Sequence, residues 1–264
     1  MRRIRLILAY DGANYAGWQR QLNGLAVQEV VENALEKLTS ERITLVGASR
    51  TDAGVHSLGQ AAHFDTHSRI PDEKIPLALN TLLPWDVRAM AADTVGGDFH
   101  ARFMAVAKTY RYWYHNARVA PALERGMRWH IPVTLDAAQM NREAVGMVGT
   151  HDFAAFAASG SKAKTTVRTV HSVSVTRAAH DPALIELIIR GNGFLYNMVR
   201  ILAGTLADAG SGRLDKGAVD RAIETGDRLA LGQTAPPHGL TLMSVEYAGD
   251  FSMNGGATNA GNHP

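Results

Sequence analysis

The sequence has no cysteine among its 264 residues. Disulfide scaffolds, thiol nucleophiles and cysteine-ligated zinc or iron–sulfur sites are therefore excluded. The absence also suits a reducing compartment. Long apolar runs are missing as well, and none approaches the ~20 residues that a spanning helix requires. The N-terminal Arg2-Arg3-Ile4-Arg5-Leu6-Ile7-Leu8 begins like a signal peptide, but its apolar stretch stops at Asp11-Gly12, too soon for an h-region. A cytoplasmic protein is the expectation. Strong charge of one sign is absent too, the net charge being +2, which alone identifies no partner.

Several common catalytic signatures are also missing. Gly47-Ala48-Ser49-Arg50-Thr51 lacks the second glycine of a nucleophile elbow, which argues against a serine hydrolase. Gly191-Asn192-Gly193 and Gly210-Ser211-Gly212 lack the third glycine of a dinucleotide fingerprint, and no Walker A string occurs.

What remains is a chain 46% hydrophobic, ample for one large domain or two ordinary ones. Its charge is uneven. Residues 1–104 hold eleven Lys/Arg against twelve Asp/Glu, whereas residues 105–190 hold eleven against six. A locally basic middle can contact phosphates, because counterion release follows clustered charge rather than the total. An ordinary solvated surface would give the same count.

Hydrophobic periodicity sets the expected elements. Strands are expected at 5–10, 43–46, 59–65 and 87–92, with helices at 26–38 and 72–83. The second half repeats that order, with strands at 106–115, 167–177, 184–190 and 241–247. Its helices are expected at 136–148, after Gly193 and near 215–225. Each half approximates β-α-β-β-α-β, the split βαβ or ferredoxin-like arrangement, so the fold class is α+β. The expected division is 1–104 and 105–248, followed by an aperiodic, mobile tail at 249–264.

Three constellations carry chemistry. Ser49-Arg50-Thr51-Asp52-Ala53-Gly54-Val55-His56 lies in a loop between two expected strands. Gly54 permits positive φ, so the chain can turn sharply and present the Asp52 carboxylate. A guanidinium nearby would hold that carboxylate below the ordinary range near 3.9, as an anion suited to act as nucleophile or base. A plain Asx-turn with Arg50 as a surface partner is the competing reading. Lys108-Thr109-Tyr110-Arg111-Tyr112-Trp113-Tyr114 sets rings and cations on one strand, as base stacking requires, though a tyrosine-rich core strand reads the same way. Gly191 to Arg200 leads from an apolar strand through two glycines into a helix that would place Tyr196 and Arg200 on one face. Arg200 is either an exposed helix residue or turned back to the sheet. His63, Asp65 and His67 fall on one strand face, a poor geometry for a tetrahedral metal site.

These constellations, in this order, resemble the TruA-type tRNA pseudouridine synthases over roughly residues 3–248. The similarity runs through Tyr10-Asp11-Gly12, Gly17-Trp18-Gln19-Arg20-Gln21, Arg50-Thr51-Asp52-Ala53-Gly54-Val55-His56 and Phe99-His100-Ala101-Arg102-Phe103. It continues through Lys108-Thr109-Tyr110-Arg111-Tyr112, His151-Asp152-Phe153, Phe194, Met198-Val199-Arg200 and Ala235-Pro236-Pro237. Ser49 stands where that family usually has glycine.

The resemblance implies two α/β halves joined in one continuous, mainly antiparallel sheet, with a positively lined cleft between them. It implies a homodimer acting on tRNA, with uridines 38, 39 and 40 on the 3′ side of the anticodon stem-loop as substrates. Asp52 matches the family's catalytic aspartate, and Arg50 the arginine that holds the place of the flipped-out nucleotide. Tyr110 matches the tyrosine that stacks on the target base, and Arg200 the basic residue paired with the carboxylate. Isomerisation needs no redox partner or group donor, so no cofactor and no metal is expected. A non-catalytic RNA-binding protein and a metal-dependent hydrolase remain the alternatives.

Overall fold

The computed structural model describes residues 1–158, 160 and 163–249. The first half runs β1 (Arg2–Tyr10), α1 (Val27–Thr39), β2 (Val46–Gly47), β3 (His56–Thr66), α2 (Ile75–Leu79) and β4 (Val87–Val95). The second runs β5 (Ala105–His115), β6 (Trp129–His130), α3 (Ala137–Val145), β7 (Gly149–Asp152), β8 (Val167–Arg177), β9 (Leu184–Gly191), α4 (Met198–Gly210), α5 (Ala218–Thr225) and β10 (Leu240–Tyr247). All ten strands join one sheet, in the order β4-β1-β3-β10-β5-β9-β8-β7 along its main path. The mixed α+β architecture with one large, mainly antiparallel sheet agrees with the pseudouridine synthase fold expected from sequence.

The seam between the halves is thin. Strand β10 pairs with β3 in parallel only through Thr241–His56 and Leu242–Ser57, while β10 pairs antiparallel with β5 over seven residue pairs. Each flank has its own core. Ile4, Leu6 and Leu8 of β1 pack with Val27, Val31 and Leu35 of α1. Tyr112 and Tyr114 of β5 pack with Ile185, Leu187 and Ile189 of β9 and with most of α4. Val55, from the first half, belongs to this second core.

Two expected elements come out shorter. The strand expected at 43–46 shrinks to Val46–Gly47 because side chains of α1 take the backbone groups a ladder would use. Gln28 Nε2 donates to Leu45 O at 2.9 Å, and Leu45 N donates to Glu32 Oε1 at 3.0 Å. The helix expected at 72–83 becomes a 3-10 turn at Asp72–Lys74 and then α2. Asn80 ends it by bonding both backbone groups of Ala89 on β4. The tail expected at 249–264 lies outside the described residues, apart from Gly249.

Helix α4 matters most for the site. Eleven of its thirteen residues are buried, so it is apolar on nearly every side and runs through the core. Arg200 and Asp208 are its exceptions. Gly204 is required there by close approach, since a Cβ would fall 1.7 Å from Gln233 O. The segment 233–235 therefore lies directly against α4, and Ala235 N donates to Arg200 O at 3.0 Å.

Candidate active site

The loop from Ala48 to Val55 is pinned from both halves of the molecule. Ser49 N donates to Gln60 Oε1 at 3.1 Å, and Gln60 Nε2 donates back to Ser49 O at 2.6 Å. Side chains then alternate. Ser49 and Thr51 are buried, whereas Arg50 is exposed and Asp52 is partly open. Ser49 Oγ meets the Tyr110 hydroxyl of β5 at 2.8 Å, and Thr51 Oγ1 meets the Tyr10 hydroxyl of β1 at 2.7 Å. Trp18 N donates to Thr51 O at 3.0 Å. With the inward positions held by two tyrosines, positions 50 and 52 are left for the cleft. Gly54 adopts φ 78°, as the expected sharp turn requires, and Val55 N closes it on Asp52 O at 3.1 Å.

Asp52 finds its cation in the other half. Arg200 Nη1 lies 3.3 Å from Asp52 Oδ2, with the two side chains 16% and 22% exposed. Arg200 therefore points back toward the sheet. Its guanidinium is fixed independently, Nε donating to Ala235 O at 2.8 Å and Nη1 to Asn197 Oδ1 at 2.9 Å. A cation in the first turn of a helix opposes the helix dipole, and the first turn of α4 contains no acidic residue. Asp52 supplies the missing negative charge from outside the helix.

Burial governs the Asp52 titration. It raises the carboxyl above the ordinary aspartate value, and Arg200, through charge and hydrogen bond, pulls down by less. This corrects the expectation of a carboxylate held below its usual range. Arg50 is not its partner; among the described residues Arg50 makes no ion pair and lies exposed at the cleft.

Tyr110 presents a ring edge-on to Phe194, with centroids 5.3 Å apart. Burial pushes its hydroxyl up to about 12, so it stays protonated at neutral pH. Tyr112 and Tyr114 share the buried face of β5 with Tyr110 and belong with it to one core, their hydroxyls donating to Pro236 O and Ala203 O. Tyr196 also departs from expectation. The helix starts only at Met198, after Asn197 at φ 62°, so Tyr196 precedes α4 and is half exposed at the cleft.

Asp52, Arg50, Tyr110 and Arg200 all line one cleft of about 1070 Å³. Among the described residues six cations and a single carboxylate, Asp52, line it. Ser49, Phe194, Lys108 and Trp18, each part of a motif quoted above, line it too. A serine beside a tyrosine 61 positions away leaves no local pattern to detect. The histidine strand face forms no metal cluster. His63 Nδ1 accepts the Ala101 N–H at 3.1 Å, Asp65 is forked to Arg3, and no metal-binding group of three or more such residues occurs among the described residues.

The chain matches the family model described as tRNA pseudouridine synthase over residues 6–104 and 144–248. It is 46% identical over 247 residues to the tRNA pseudouridine synthase A of Acetivibrio thermocellus, covering 94% of this chain and all of that protein. The protein of the same name from Thermoanaerobacter sp. (strain X514) is 44% identical over the same shares, and that of Geotalea uraniireducens is 45% identical.

Proposed function

Since the chain belongs to the family of tRNA pseudouridine synthases, we propose that it isomerises uridine to pseudouridine in tRNA, with Asp52 starting the chemistry. The supporting observation is that Asp52 is, among the described residues, the single carboxylate lining a cationic cleft that Tyr110 also lines, and is paired with Arg200. The finer reading takes uridines 38, 39 and 40, on the 3′ side of the anticodon stem-loop, as the substrates.

The reaction breaks the bond from ribose C1′ to uracil N1 and joins C1′ to C5. N1 ends with a proton and C5 loses its hydrogen, so nothing is oxidised and no group donor is required. Asp52 can attack C1′, add to C6, or abstract the 2′ proton, and each route needs an ionised carboxylate at the glycosidic bond. A stacked base denies that access, so the nucleotide must leave the helix, at a cost of a few kcal/mol. Tyr110 stacking on the extruded base offsets part of it, at about 1–3 kcal/mol for such a contact. Arg50, free and exposed, fills the vacancy. Arg200 holds the carboxylate in place and favours its ionised form against the burial that opposes it.

The division at 1–104 and 105–248 puts Asp52 and its cation on opposite sides of the seam, so the cleft requires both halves. The enzyme works as a homodimer in the cytoplasm, as the resemblance implies. The described residues include no helix long and apolar enough to cross a membrane.

The test is tritium release from tRNA carrying [5-³H]uridine, since C5 must give up its hydrogen to become the glycosidic carbon. Release by the wild-type chain supports the proposal. Binding of tRNA with no release would favour a non-catalytic RNA-binding protein.

A further inference from the structure

We infer that Lys108, Arg102 and Arg168 form a subsite for one backbone phosphodiester of the RNA, at a linkage flanking the extruded uridine. The inference rests on the proposed function and extends it to a binding site on the floor of the same cleft. Lys108 precedes Tyr110 by two residues on β5, about 6–7 Å along the strand. A phosphate next to a base stacked on Tyr110 falls within that reach.

The Lys108 ammonium donates to Ala48 O at 2.7 Å, at the root of the Asp52 loop. It has three N–H donors, and among the described residues that carbonyl is the one acceptor it meets. The charges that act on it most are both positive, Arg102 and Arg168, and with burial they bring Lys108 down to about 8. Three cations from three places line this one cleft: Arg102 in the segment after β4, Lys108 at the start of β5 and Arg168 at the start of β8. The one carboxylate of the cleft among the described residues is engaged by Arg200. A part-buried ammonium that shares a cleft with two guanidiniums is a costly arrangement unless an anion completes it.

The arginines are set for a tetrahedral oxyanion. Arg168 Nη1 is tied to Thr165 O and Val167 O at 2.9 and 2.6 Å, which fixes the plane of the guanidinium fork. Gly193 lies beside it, its Cβ position 4.0 Å from Arg168 Nε. The Arg102 guanidinium stands over the Phe103 ring, 5.6 Å from its centroid. Two forks and a point charge match the two free oxygens and single charge of a phosphodiester. Side chains that neutralise phosphate fix register rather than read sequence, so these three are positioning residues.

The experiment uses anticodon stem-loop RNAs with a single neutral methylphosphonate at each linkage around the target uridine, bound to the full-length chain and to Lys108→Met. Wild type is expected to lose roughly tenfold in affinity at one linkage. Lys108→Met should lose a similar factor on all-phosphate RNA and nothing more at that linkage, with a salt slope lower by about 1. Arg102→Ala and Arg168→Ala, both nearer the surface, give the same non-additivity if Lys108→Met melts early. Losses that multiply at every linkage, or wild-type affinity in all three variants, would overturn the inference. Coupling at one linkage without tritium release from tRNA would leave the subsite standing and sink the isomerase reading. Failure of wild type to bind the RNA would sink both.

Discussion

Arg200 Nη1 stands 3.3 Å from Asp52 Oδ2, joining residues 148 positions apart across the seam of the sheet. The contact is single and long for a charged pair, while the guanidinium is held more tightly by Ala235 O and Asn197 Oδ1. Arg200 therefore presents a field fixed by Asn197 and Ala235 rather than by Asp52. That field weakens the effect of burial on the carboxyl without overcoming it. A carboxylate raised in this way is more basic than a surface aspartate, which suits a nucleophile or base.

The single-turnover rate should follow the titration of Asp52. The folded-state value is raised, so the active, ionised form is lost as pH falls through a midpoint above the ordinary aspartate range. Because Arg200 opposes the rise, Arg200→Met should move that midpoint further up. A rate profile in Arg200→Met that coincides with wild type, or lies at lower pH, would contradict the electrostatic role.

Asp52→Asn should abolish tritium release, by roughly a thousandfold or more, without loosening the fold. A raised folded-state value means the neutral form is the one the fold favours. The stability it contributes is present below the unfolded value and is lost as pH rises through the folded one. At neutral pH the wild type carries that burden and the asparagine variant does not. Thermal melting at pH 7 should give Asp52→Asn a Tm no lower than wild type; a marked drop would show that the ion pair is a net stabiliser.

The hydroxyl pair of Ser49 and Tyr110 should behave as one buried hydrogen bond. Ser49→Ala and Tyr110→Phe should each destabilise by about 1–3 kcal/mol, since each strands a buried partner. The double variant should recover about 1 kcal/mol of their sum in a urea-melt cycle. Ser49→Ala should also raise KM more than it lowers kcat, because a freer Tyr110 stacks less well while Asp52 is untouched. Strict additivity would mean that the two hydroxyls do not support each other.

Affinity for tRNA should weaken as pH rises through about 8, where Lys108 loses its charge. Its depressed value comes first from burial, then from the charges of Arg102 and Arg168. Tyr110, two residues along β5, stays protonated across the same range, and Asp52 on the facing loop is paired with Arg200. Lys108→Arg should flatten the profile between pH 7 and 9 in a direct binding titration. An unchanged slope in that variant would assign the titration elsewhere.

The sequence by itself determined the order of the elements and the surroundings of Asp52. Alternating apolar residues made β1 and β5 legible, helical spacing made α1 legible, and Gly54 announced the turn that exposes the carboxylate. Both patterns are local, since side chains two or four residues apart share a face whatever surrounds them. The fold decided what depends on distant partners. It shortened β2 because Gln28 and Glu32 satisfy the backbone of Leu45, and it ended α2 because Asn80 prefers the backbone of Ala89. It brought Arg200, the cation the resemblance implies, against Asp52 from 148 positions away, which no local pattern of residues could show. It also reversed the expected direction of the Asp52 shift. Adjacency in sequence suggests a charge partner, but how much water a carboxylate loses is set only when two halves close around it.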